Sequence, residues 1–379
     1  LQDKGYDVVL LTGPSWEEEG EILSQALEEG VEVSVINELV REVDLFKDVI
    51  SFLKLWNVFG EHSFDIVHTH MSKAGWLGRL AARLRKMPII IHTPHGHVFH
   101  SYFSRWREKL FLNLERFAAS KCDRLIALTH QEKDEHLRLG VGRPEQWSVI
   151  PSGVSEAMFR DSSLARKCEL KEQLGIAQDS RIVGFVGRLE SIKGPEYLLE
   201  AVQKILTAIP KAQFLFVGEG RLRSKLEQRK DELGLGASVH FTGNQNVAEF
   251  LSLMEVLVVP SLNEGMGRVI VEAGLLHKPV IAAGVGGILE LIRDEQTGLL
   301  VPPRDTARVA QAVVCLLTDP LLASRLGDAL YQFVIEGYTE TQMVENIHRL
   351  YTSELTRTGR DIPLFKRPVP AEAGNKIEE

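Results

Sequence analysis

The sequence has few cysteines and no long apolar run, and both absences narrow the class of protein. Cys122, Cys168 and Cys315 are odd in number, widely scattered and without C-x-x-C spacing, so neither a disulfide framework nor a cysteine zinc site is expected. No apolar stretch approaches the roughly 18 to 20 residues of a spanning helix, and no signal-peptide pattern stands at the start. These absences predict a cytoplasmic globular protein.

Several catalytic signatures are missing as well. Gly218 and Gly220 are not followed by the third glycine of G-x-G-x-x-G, and after Gly265 and Gly267 that place is taken by Ile270. A dinucleotide oxidoreductase is therefore disfavoured, and so are P-loop, H-E-x-x-H and G-x-S-x-G enzymes. The sequence also lacks an Asp-x-Asp pair, with which many metal-dependent sugar transferases hold a nucleotide diphosphate. Phosphate would have to be bound by cationic side chains and backbone amides, without a metal and without a cofactor.

Charge is segregated along the chain. The 379 residues carry a net charge of -8, which argues against nucleic-acid binding by the molecule as a whole. Residues 1–72 contain 4 basic and 15 acidic side chains, whereas residues 73–143 contain 14 basic and 6 acidic ones. One basic zone therefore lies within an acidic protein.

Short runs of Val, Ile and Leu alternate with amphipathic stretches, which is typical of a parallel sheet built from strand-helix units. This pattern predicts an α/β fold with two doubly wound, Rossmann-like domains. Six strands are expected in each half: 8–11, 31–36, 65–70, 89–95, 124–129, 148–150, 181–187, 212–218, 238–243, 256–261, 279–284 and 298–302.

Pro and Gly in PSGV predict a domain boundary near residue 155. We expect an N-terminal domain over 1–155, a C-terminal domain over 156–335, a final helix over 336–356 capped by Thr339 or Thr341, and an unstructured tail over 357–379. The sequence opens with LQDKGYDVVLLTG, which resembles the end of a helix, a turn and a second strand. The first strand of the N-terminal domain is therefore expected to be missing.

Two cations follow the first strand of the second half. Gly187 and Arg188 end the strand in GFVGRLESIKG, and Lys193 stands five residues beyond Arg188. Parallel sheets bind ligands at the carboxyl ends of their strands, where two cations could neutralise a diphosphate. The alternative is that both are solvated loop cations.

A second segment, NEGMGRVIVEAG, combines small residues with two carboxylates. Gly265, Met266 and Gly267 precede a predicted helix whose first amides would attract an anion. Glu264 and Glu272 would lie about 12 Å apart if the helix began at once, roughly the reach from hexose to ribose in a nucleotide sugar. Alternatively, Glu272 is a helix-face glutamate and Glu264 complements the helix dipole.

With GRLESIKG, the E-x7-E spacing and TGLLVPP, residues 65–351 resemble the retaining glycosyltransferases of family 4, which have the GT-B architecture of two Rossmann-like domains facing a cleft. The resemblance implies that Arg188 and Lys193 hold the donor diphosphate, that Glu264 contacts the donor sugar and that Glu272 contacts the ribose. It also implies that the loop Gly243–Asn246, including Gln245, lines the base. The last helix would cross back to the first domain.

IIIHTPHGHVFH contains four histidines. His95, followed by Gly96, stands where the family places a histidine facing the donor sugar, although it could simply cap or pack a strand end. His92, His97 and His100 lack regular ligand spacing and carboxylate or thiolate help, so a metal site is disfavoured.

The basic zone supplies the candidate acceptor side. Ser72 is a predicted N-cap, and Lys73 beside it makes a start that favours anions; similar S-K-A-G segments occur in family members that build bacterial surface polysaccharides. The alternative is simple helix capping. Residues 97–121 could also contact an anionic membrane surface, because apolar side chains near one helical face are flanked by arginines and lysines. Packing of this helix on the sheet is the alternative, favoured for its C-terminal half.

These observations predict a peripheral membrane enzyme on the cytoplasmic side. It would move a sugar from a UDP- or GDP-sugar to a glycan or lipid-linked hydroxyl acceptor, without metal, and the resemblance implies retention of anomeric configuration. The alternatives are a nucleotide-sugar epimerase of the same fold and a non-catalytic binding protein.

Overall fold

The computed structural model describes residues 1–14, 24, 26–40, 42–95 and 105–360. The chain forms two compact units. The first unit comprises Leu1–Thr93, Ser120–Asp123 and the chain from Asn346 onward, and the second comprises Pro94–Ala119 and Arg124–Glu345. The predicted domain boundary near residue 155 stays a prediction, and residues 361–379 of the predicted tail lie outside the described part.

The strands alternate with helices, as the hydrophobic pattern predicted. The strands are β1 (Val9–Thr12), β2 (Glu32–Val35), β3 (Ile66–His70), β4 (Ile89–Thr93), β5 (Arg124–Ala127), β6 (Trp147–Val149), β7 (Arg181–Val186), β8 (Ala212–Val217), β9 (Val239–Gly243), β10 (Val256–Val259), β11 (Val280–Ala283) and β12 (Leu299–Val301). Each of the twelve predicted strands overlaps one of them. Strand β4 ends two residues earlier than predicted, before Pro94, because proline has no backbone N–H to continue the ladder.

The helices occupy the intervals. They are α1 (Leu45–Glu61), α2 (Ser72–Leu84), α3 (Arg105–Ala119), α4 (His130–Arg138), α5 (Leu164–Gln173), α6 (Pro195–Ala208), α7 (Arg223–Glu232), α8 (Val247–Leu253), α9 (Arg268–Leu275), α10 (Ile288–Leu291), α11 (Thr306–Thr318), α12 (Pro320–Gly337) and α13 (Glu340–Arg357). The amide of Gln342 donates to Oγ1 of Thr339 at 3.3 Å, which confirms Thr339 as the cap of α13.

The second unit contains a six-stranded sheet with the order β12-β11-β10-β7-β8-β9. The described strand pairs are all parallel. From β7 the chain adds β8 and β9 on one side, and then returns to add β10, β11 and β12 on the other. The order therefore reverses between β7 and β10, and such a switch point is where doubly wound sheets bind ligands, beyond the carboxyl ends of the strands.

Alternation along the strands builds a core on each face of this sheet. On β10, Leu257 packs with the cluster that includes Phe250 of α8 and Ile270 of α9. Its neighbour Val258 packs with the opposite cluster, which includes Leu198 of α6. Because successive strand side chains point to opposite faces, a continuous apolar run such as VLVV indicates a strand covered on both sides. This packing fixes where the loops at the switch point begin.

In the first unit, β1 pairs with β2 and β3 pairs with β4, both in parallel. Helix α13 adds a polar aromatic cluster. His68 on β3 shares a hydrogen bond of 2.7 Å with the hydroxyl of Tyr351 on α13, and Tyr6 shares one of 3.0 Å with His348. Burial raises the pKa of the Tyr351 hydroxyl, so this group stays protonated and can donate.

Within the described residues, no single helix is long and apolar enough to cross a membrane. Helices α11 and α12, bent by 102° at their junction, reach the length and composition of a span only as a pair.

Candidate functional site

Two loops meet at the switch point of the six-stranded sheet. One follows β7 and begins with Gly187, and the other follows β10 and begins with Pro260. The amide of Leu262 in the second loop donates to the carbonyl of Ile192 in the first at 2.8 Å. Since β7 and β10 are neighbouring parallel strands, the residues beyond their carboxyl ends are brought to one place.

Lys193 and Glu264 form the centre of this site. The Nζ of Lys193 lies 2.7 Å from each carboxylate oxygen of Glu264, and Oγ of Ser261 donates to Oε2 of the same carboxylate at 3.1 Å. The Glu264 side chain is only 12% exposed. The structure thus brings together two residues that stand 71 positions apart in the sequence, which were predicted to serve one ligand.

Glycines allow the loops to approach this closely. A Cβ on Gly194 would lie 2.3 Å from the carbonyl oxygen of Pro260, and one on Gly287 would lie 1.9 Å from that of Gly265. Neither position has room for a side chain. The amide of Gly287 also donates to the carbonyl of Glu264 at 2.9 Å, so the loop before α10 supports the backbone that carries the carboxylate.

Arg188 lies at the rim of the site. It follows Gly187, whose amide donates to the carbonyl of Val217 at 3.0 Å and so continues the ladder between β7 and β8. The Arg188 side chain is exposed. Its guanidinium makes no ion pair within the described part of the chain, so its charge is available at the carboxyl edge of the sheet.

Helix α9 begins after the loop that carries Glu264. Gly267 adopts a left-handed conformation (φ 80°) as its N-cap, and the helix begins at Arg268. Residues 264–267 are therefore loop, as the segment Gly265–Gly267 predicted, and the condition under which Glu264 and Glu272 would lie about 12 Å apart, a helix that begins at once, is not met. A glycine whose left-handed φ sets the helix start is the physical reason. Met266, predicted at the donor site, is 4% exposed and its side chain packs in the core.

Glu272 lies one turn into α9. Its Oε1 is 3.0 Å from Nε of Arg268, an i, i+4 pair, and the residue is 9% exposed. Burial raises the pKa of the Glu272 carboxyl, and the nearby Arg268 charge offsets part of that shift. Because Arg268 is largely exposed, this pair leaves Glu272 as a partly desolvated hydrogen-bond acceptor.

The loop predicted to line a nucleotide base follows β9. Gly243 has a left-handed φ of 72°, and its carbonyl accepts from the amide of Gly218 at 2.7 Å. Nε2 of Gln245 donates to the carbonyl of Thr242 at 2.8 Å. This bond fixes the amide nitrogen of Gln245 and leaves its side-chain carbonyl as the acceptor that the loop presents.

The histidine segment contains two different environments. His95 is exposed and has a positive φ of 58°, a conformation that is costly for a residue other than glycine. Partial desolvation lowers the pKa of its imidazole. His92 is a buried histidine of β4, bonded to Thr69 Oγ1 at 2.9 Å, and burial lowers its pKa well below the ordinary value. Gly96, His97 and His100 lie outside the described residues.

The predicted acceptor-side residues are placed differently from expectation. The N-cap of α2 is Met71, and no side chain makes a capping hydrogen bond there. Ser72 is the first residue of the helix itself, so the prediction that Ser72 caps the helix was wrong. Lys73 forms an ion pair with Asp48 of α1 and donates to the carbonyl of Glu42. The charge of Lys73 is thereby paired between α1 and α2 of the first unit.

Helix α3 includes the described part of the predicted membrane segment. Leu110 and Phe117, seven residues apart, are both 49% exposed, whereas Ala118 and Ala119 are buried. The end of the helix thus packs inward as expected, and two large apolar side chains remain exposed at helical spacing.

A further contact was missed from the sequence. The carboxylate of Glu290 accepts from the amides of His130 (2.9 Å) and Gln131 (2.7 Å) at the start of α4. Oγ1 of Thr129, the N-cap of α4, donates to the carbonyl of Gly265 at 3.3 Å. The Thr-x-x-Glu pattern of THQE is a capping-box signature that could have located this helix start, but nothing in the sequence indicated Glu290 as its partner.

In residues 1–14, 24, 26–40, 42–95 and 105–360, no group of three or more His, Cys, Asp and Glu is arranged to hold a metal ion. The switch-point loops offer two cations, buried carboxylates and glycine-lined backbone. Cations suit phosphate and carboxylates suit hydroxyl groups. Fold and site together define an α/β protein built to bind a phosphorylated, hydroxyl-rich ligand.

Comparisons with known proteins agree with this class. The family described as "Glycosyl transferases group 1" matches residues 167–333, and "Glycosyl transferase 4-like domain" matches residues 1–153. An Escherichia coli UDP-Gal:alpha-D-GlcNAc-diphosphoundecaprenol alpha-1,3-galactosyltransferase is 32% identical over 93% of this chain and 90% of its own length. Alpha-D-kanosaminyltransferase of Streptomyces kanamyceticus is 31% identical over 69% and 70%.

The fold is shared with solved structures. HepE of Anabaena, crystallised with UDP and glucose, superposes with a TM-score of 0.79 at 20% identity, over 91% of this chain and all of that one. The chain belongs to glycosyltransferase family 4 and has the GT-B fold with two Rossmann-like domains. It is an enzyme, a glycosyltransferase that uses a nucleotide sugar.

Proposed function

We propose that the enzyme transfers a hexose from a UDP-sugar to a hydroxyl group of a glycan or lipid-linked glycan intermediate, with retention and without a metal ion. The choice of UDP over GDP is supported by the E. coli relative, which is named for UDP-Gal, and by the Anabaena structure solved with UDP. The single observation that carries the proposal is the pairing of Lys193 with Glu264 at the switch point of the sheet.

The proposed donor site places positive groups where negative charge develops during the reaction. As the sugar leaves, negative charge grows on the diphosphate, and Arg188, Lys193 and the first amides of α9 stabilise it. Preorganised groups of this kind accelerate transfer because they need no reorganisation during the reaction. A divalent ion is then not required to neutralise the leaving group.

The carboxylates have separate tasks. Glu264 accepts from the hydroxyls of the hexose, and in doing so it holds Lys193 beside the phosphate. Glu272 accepts from the ribose hydroxyls, while the loop with Gly243 and Gln245 lies along the base. His95 contacts the sugar from its strained position after β4. Each role requires a hydrogen-bond acceptor or donor of the type that stands there.

The acceptor is proposed from the relatives and from the basic zone. The E. coli relative is named for an acceptor attached to diphosphoundecaprenol. Residues 73–143 carry the excess of positive charge, and the exposed Leu110 and Phe117 of α3 could contact the surface in which such a lipid resides. We place Ser72, Lys73 and Gly96 on this side, where the ion pair with Asp48 makes Lys73 a structural residue rather than a direct contact of the acceptor.

Two experiments test the proposal. The first is a thermal-unfolding screen of UDP-, GDP- and ADP-sugars, in which the true donor at 100 times its dissociation constant stabilises the protein by about 2.7 kcal/mol. UDP-galactose and UDP-glucose should raise the unfolding midpoint and the others should not. An absence of stabilisation by every UDP-sugar contradicts the donor assignment.

The second is a transfer assay with a polyprenyl-diphosphate N-acetylglucosamine acceptor. We expect acceptor-dependent transfer that persists in EDTA, with an anomeric configuration in the product, read by NMR, equal to that of the donor. Loss of activity in EDTA contradicts metal independence, and inversion contradicts retention. Conversion of the donor sugar without acceptor indicates an epimerase instead.

A further inference from the structure

A cavity lies at the edge of the six-stranded sheet opposite to the donor loops. Its volume is about 440 Å³, within the range of roughly 300 to 1,000 Å³ that holds small molecules. Glu255 immediately precedes β10 and Lys278 precedes β11 by two residues. The cavity is therefore at the amino ends of these strands, where the proposed reaction has no use for it.

Three lysines line this cavity, together with the thiol of Cys168. Lys171 Nζ donates to the carbonyls of Gln178 (2.9 Å) and Ser180 (3.2 Å). Lys278 Nζ donates to the carbonyl of Ser252 at 2.9 Å. Carbonyl oxygens are neutral, so these bonds hold both ammonium groups in position without cancelling their charge.

The remaining charges nearby are already matched. Lys167 forms an ion pair with Asp161 at 2.7 Å, and Glu255, the carboxylate of the lining, forms one with Arg181 at 2.7 Å. The cavity therefore keeps the positive charges of Lys171 and Lys278. Two fixed ammonium groups in a concave site are suited to a dianion, since each retains N–H donors beyond its carbonyl bonds.

The environment of Lys278 supports this picture. Burial lowers the pKa of its amine to about 8; the positive charge of Lys167 adds to this shift, and the carboxylates of Asp161 and Glu255 oppose it. About a tenth of the amine is then neutral at pH 7. A bound anion would offset both causes, because it stabilises the charged form.

We propose that this cavity, lined by Lys167, Lys171 and Lys278, is a second ligand site that binds a small phosphate monoester. The phosphate lies between the ammonium groups of Lys171 and Lys278. The apolar remainder of the lining, which includes Leu253 and Met254, covers the organic part of the ligand. The site is separate from the donor loops, so its ligand does not compete with the nucleotide sugar.

Alkylation of Cys168 tests the site without any measurement of activity. The full-length protein is treated with iodoacetamide in the presence of inorganic phosphate or glycerol 3-phosphate, at constant ionic strength, and each cysteine is followed by peptide mass spectrometry. We expect glycerol 3-phosphate at about ten times its dissociation constant to slow the alkylation of Cys168 about tenfold, since only the unbound fraction reacts. The exposed Cys315 serves as the internal reference and should be unaffected.

Two variants complete the test. The double variant Lys171→Met with Lys278→Met should lose the protection, whereas Lys204→Met, which removes an exposed lysine on α6, should keep it. In the unsubstituted protein, bound phosphate should also slow acylation of Lys278 at pH 7, because it raises the pKa of the amine. The proposal is overturned if neither phosphate protects Cys168. It is also overturned if the protection persists in the double variant or is equal at Cys168 and Cys315.

Discussion

Two lysine-carboxylate pairs of this protein look alike in the sequence and differ in the structure. Lys193 bonds both oxygens of Glu264 between two loops at the switch point of the sheet. Lys73 pairs with Asp48 between helices α1 and α2. Both lysines stand in segments that predicted anion binding.

The difference lies in what surrounds each pair. Around Glu264, a serine hydroxyl donates to the carboxylate, and a glycine amide donates to the backbone carbonyl of the same residue at the ligand-binding edge of the sheet. Around Lys73, the ammonium group pairs with Asp48 and also donates to the backbone carbonyl of Glu42. Two of its N–H groups are therefore already bonded within the first unit. Both lysines follow a strand, Lys193 just before the next helix and Lys73 in its first turn, so sequence position does not separate them. What separates them is the partner: Lys193 pairs with a loop that follows a neighbouring strand, whereas Lys73 pairs with a neighbouring helix. Four predictions test this comparison.

The largest effect is expected for Lys193→Ala. Loss of a cation that stabilises a departing diphosphate costs a few kcal/mol, so turnover should fall by about 10² or more. Steady-state kinetics with saturating donor measure it, and Arg188→Ala should give a loss of similar size. Lys204→Ala, a matched change at an exposed position of α6, should leave turnover near normal. Near-normal turnover in both Lys193→Ala and Arg188→Ala contradicts the assignment.

Glu264→Gln tests the role of the carboxylate while Lys193 is kept. The amide keeps the shape of the carboxylate but leaves the Lys193 charge uncompensated, so UDP should bind equally or more tightly while turnover falls by about tenfold or more. Calorimetry of UDP binding and kinetics on the same sample give both values. A large loss of UDP affinity, with turnover unchanged, is the outcome opposite to this prediction.

Glu272→Gln should weaken donor binding and change the pH dependence of stability. Burial raises the pKa of Glu272 in the folded protein. Below the unfolded-state pKa of about 4.3, Glu272 is protonated in both states and does not lower the free energy of unfolding. As pH rises through the higher folded-state pKa, the buried carboxyl must ionise and the free energy of unfolding falls. The variant should therefore gain stability relative to the original protein between acid and neutral pH, as measured by thermal unfolding. An unchanged donor dissociation constant counts against the ribose role.

The smallest effect is expected for Lys73→Met. Its pair with Asp48 is part-buried and should contribute about 1 kcal/mol or less, so the free energy of unfolding should fall slightly and turnover should hardly change. Asp48→Asn should produce a similar loss. A several-fold increase in acceptor KM for Lys73→Met, without an equal effect of Asp48→Asn, instead places Lys73 in the acceptor site.

The fold was predictable because its signals are local. Short runs such as VLVV and IIIHT are typical of strands covered on both faces, and each overlaps an observed strand. The last helix could be located by its cap at Thr339. By contrast, the separation of Glu264 and Glu272 was not predictable in this way, because Gly267, whose left-handed φ precedes the helix start at Arg268, leaves residues 264–267 as loop.

The candidate site was predictable only in part. Residue types and spacing singled out Arg188, Lys193 and Glu264, since cations and carboxylates after strands are chemically conspicuous. The contributions of Ser261 and Gly287 were not visible, because a serine near a strand end and a glycine in a GG pair have many uses. Likewise, no sequence pattern connected Glu290 with the start of α4, 160 residues earlier.

By itself the sequence determined the alternation of strands and helices, the two-domain plan and the residues available for phosphate and hydroxyl recognition, since each depends on periodicity or side-chain chemistry. The tertiary structure decided which of these residues meet. The order of the six-stranded sheet places β7 beside β10 and so joins Lys193 to Glu264, whereas the packing of α1 on α2 joins Lys73 to Asp48. Contacts between distant segments depend on how strands are ordered and helices packed, and no local pattern specifies that order.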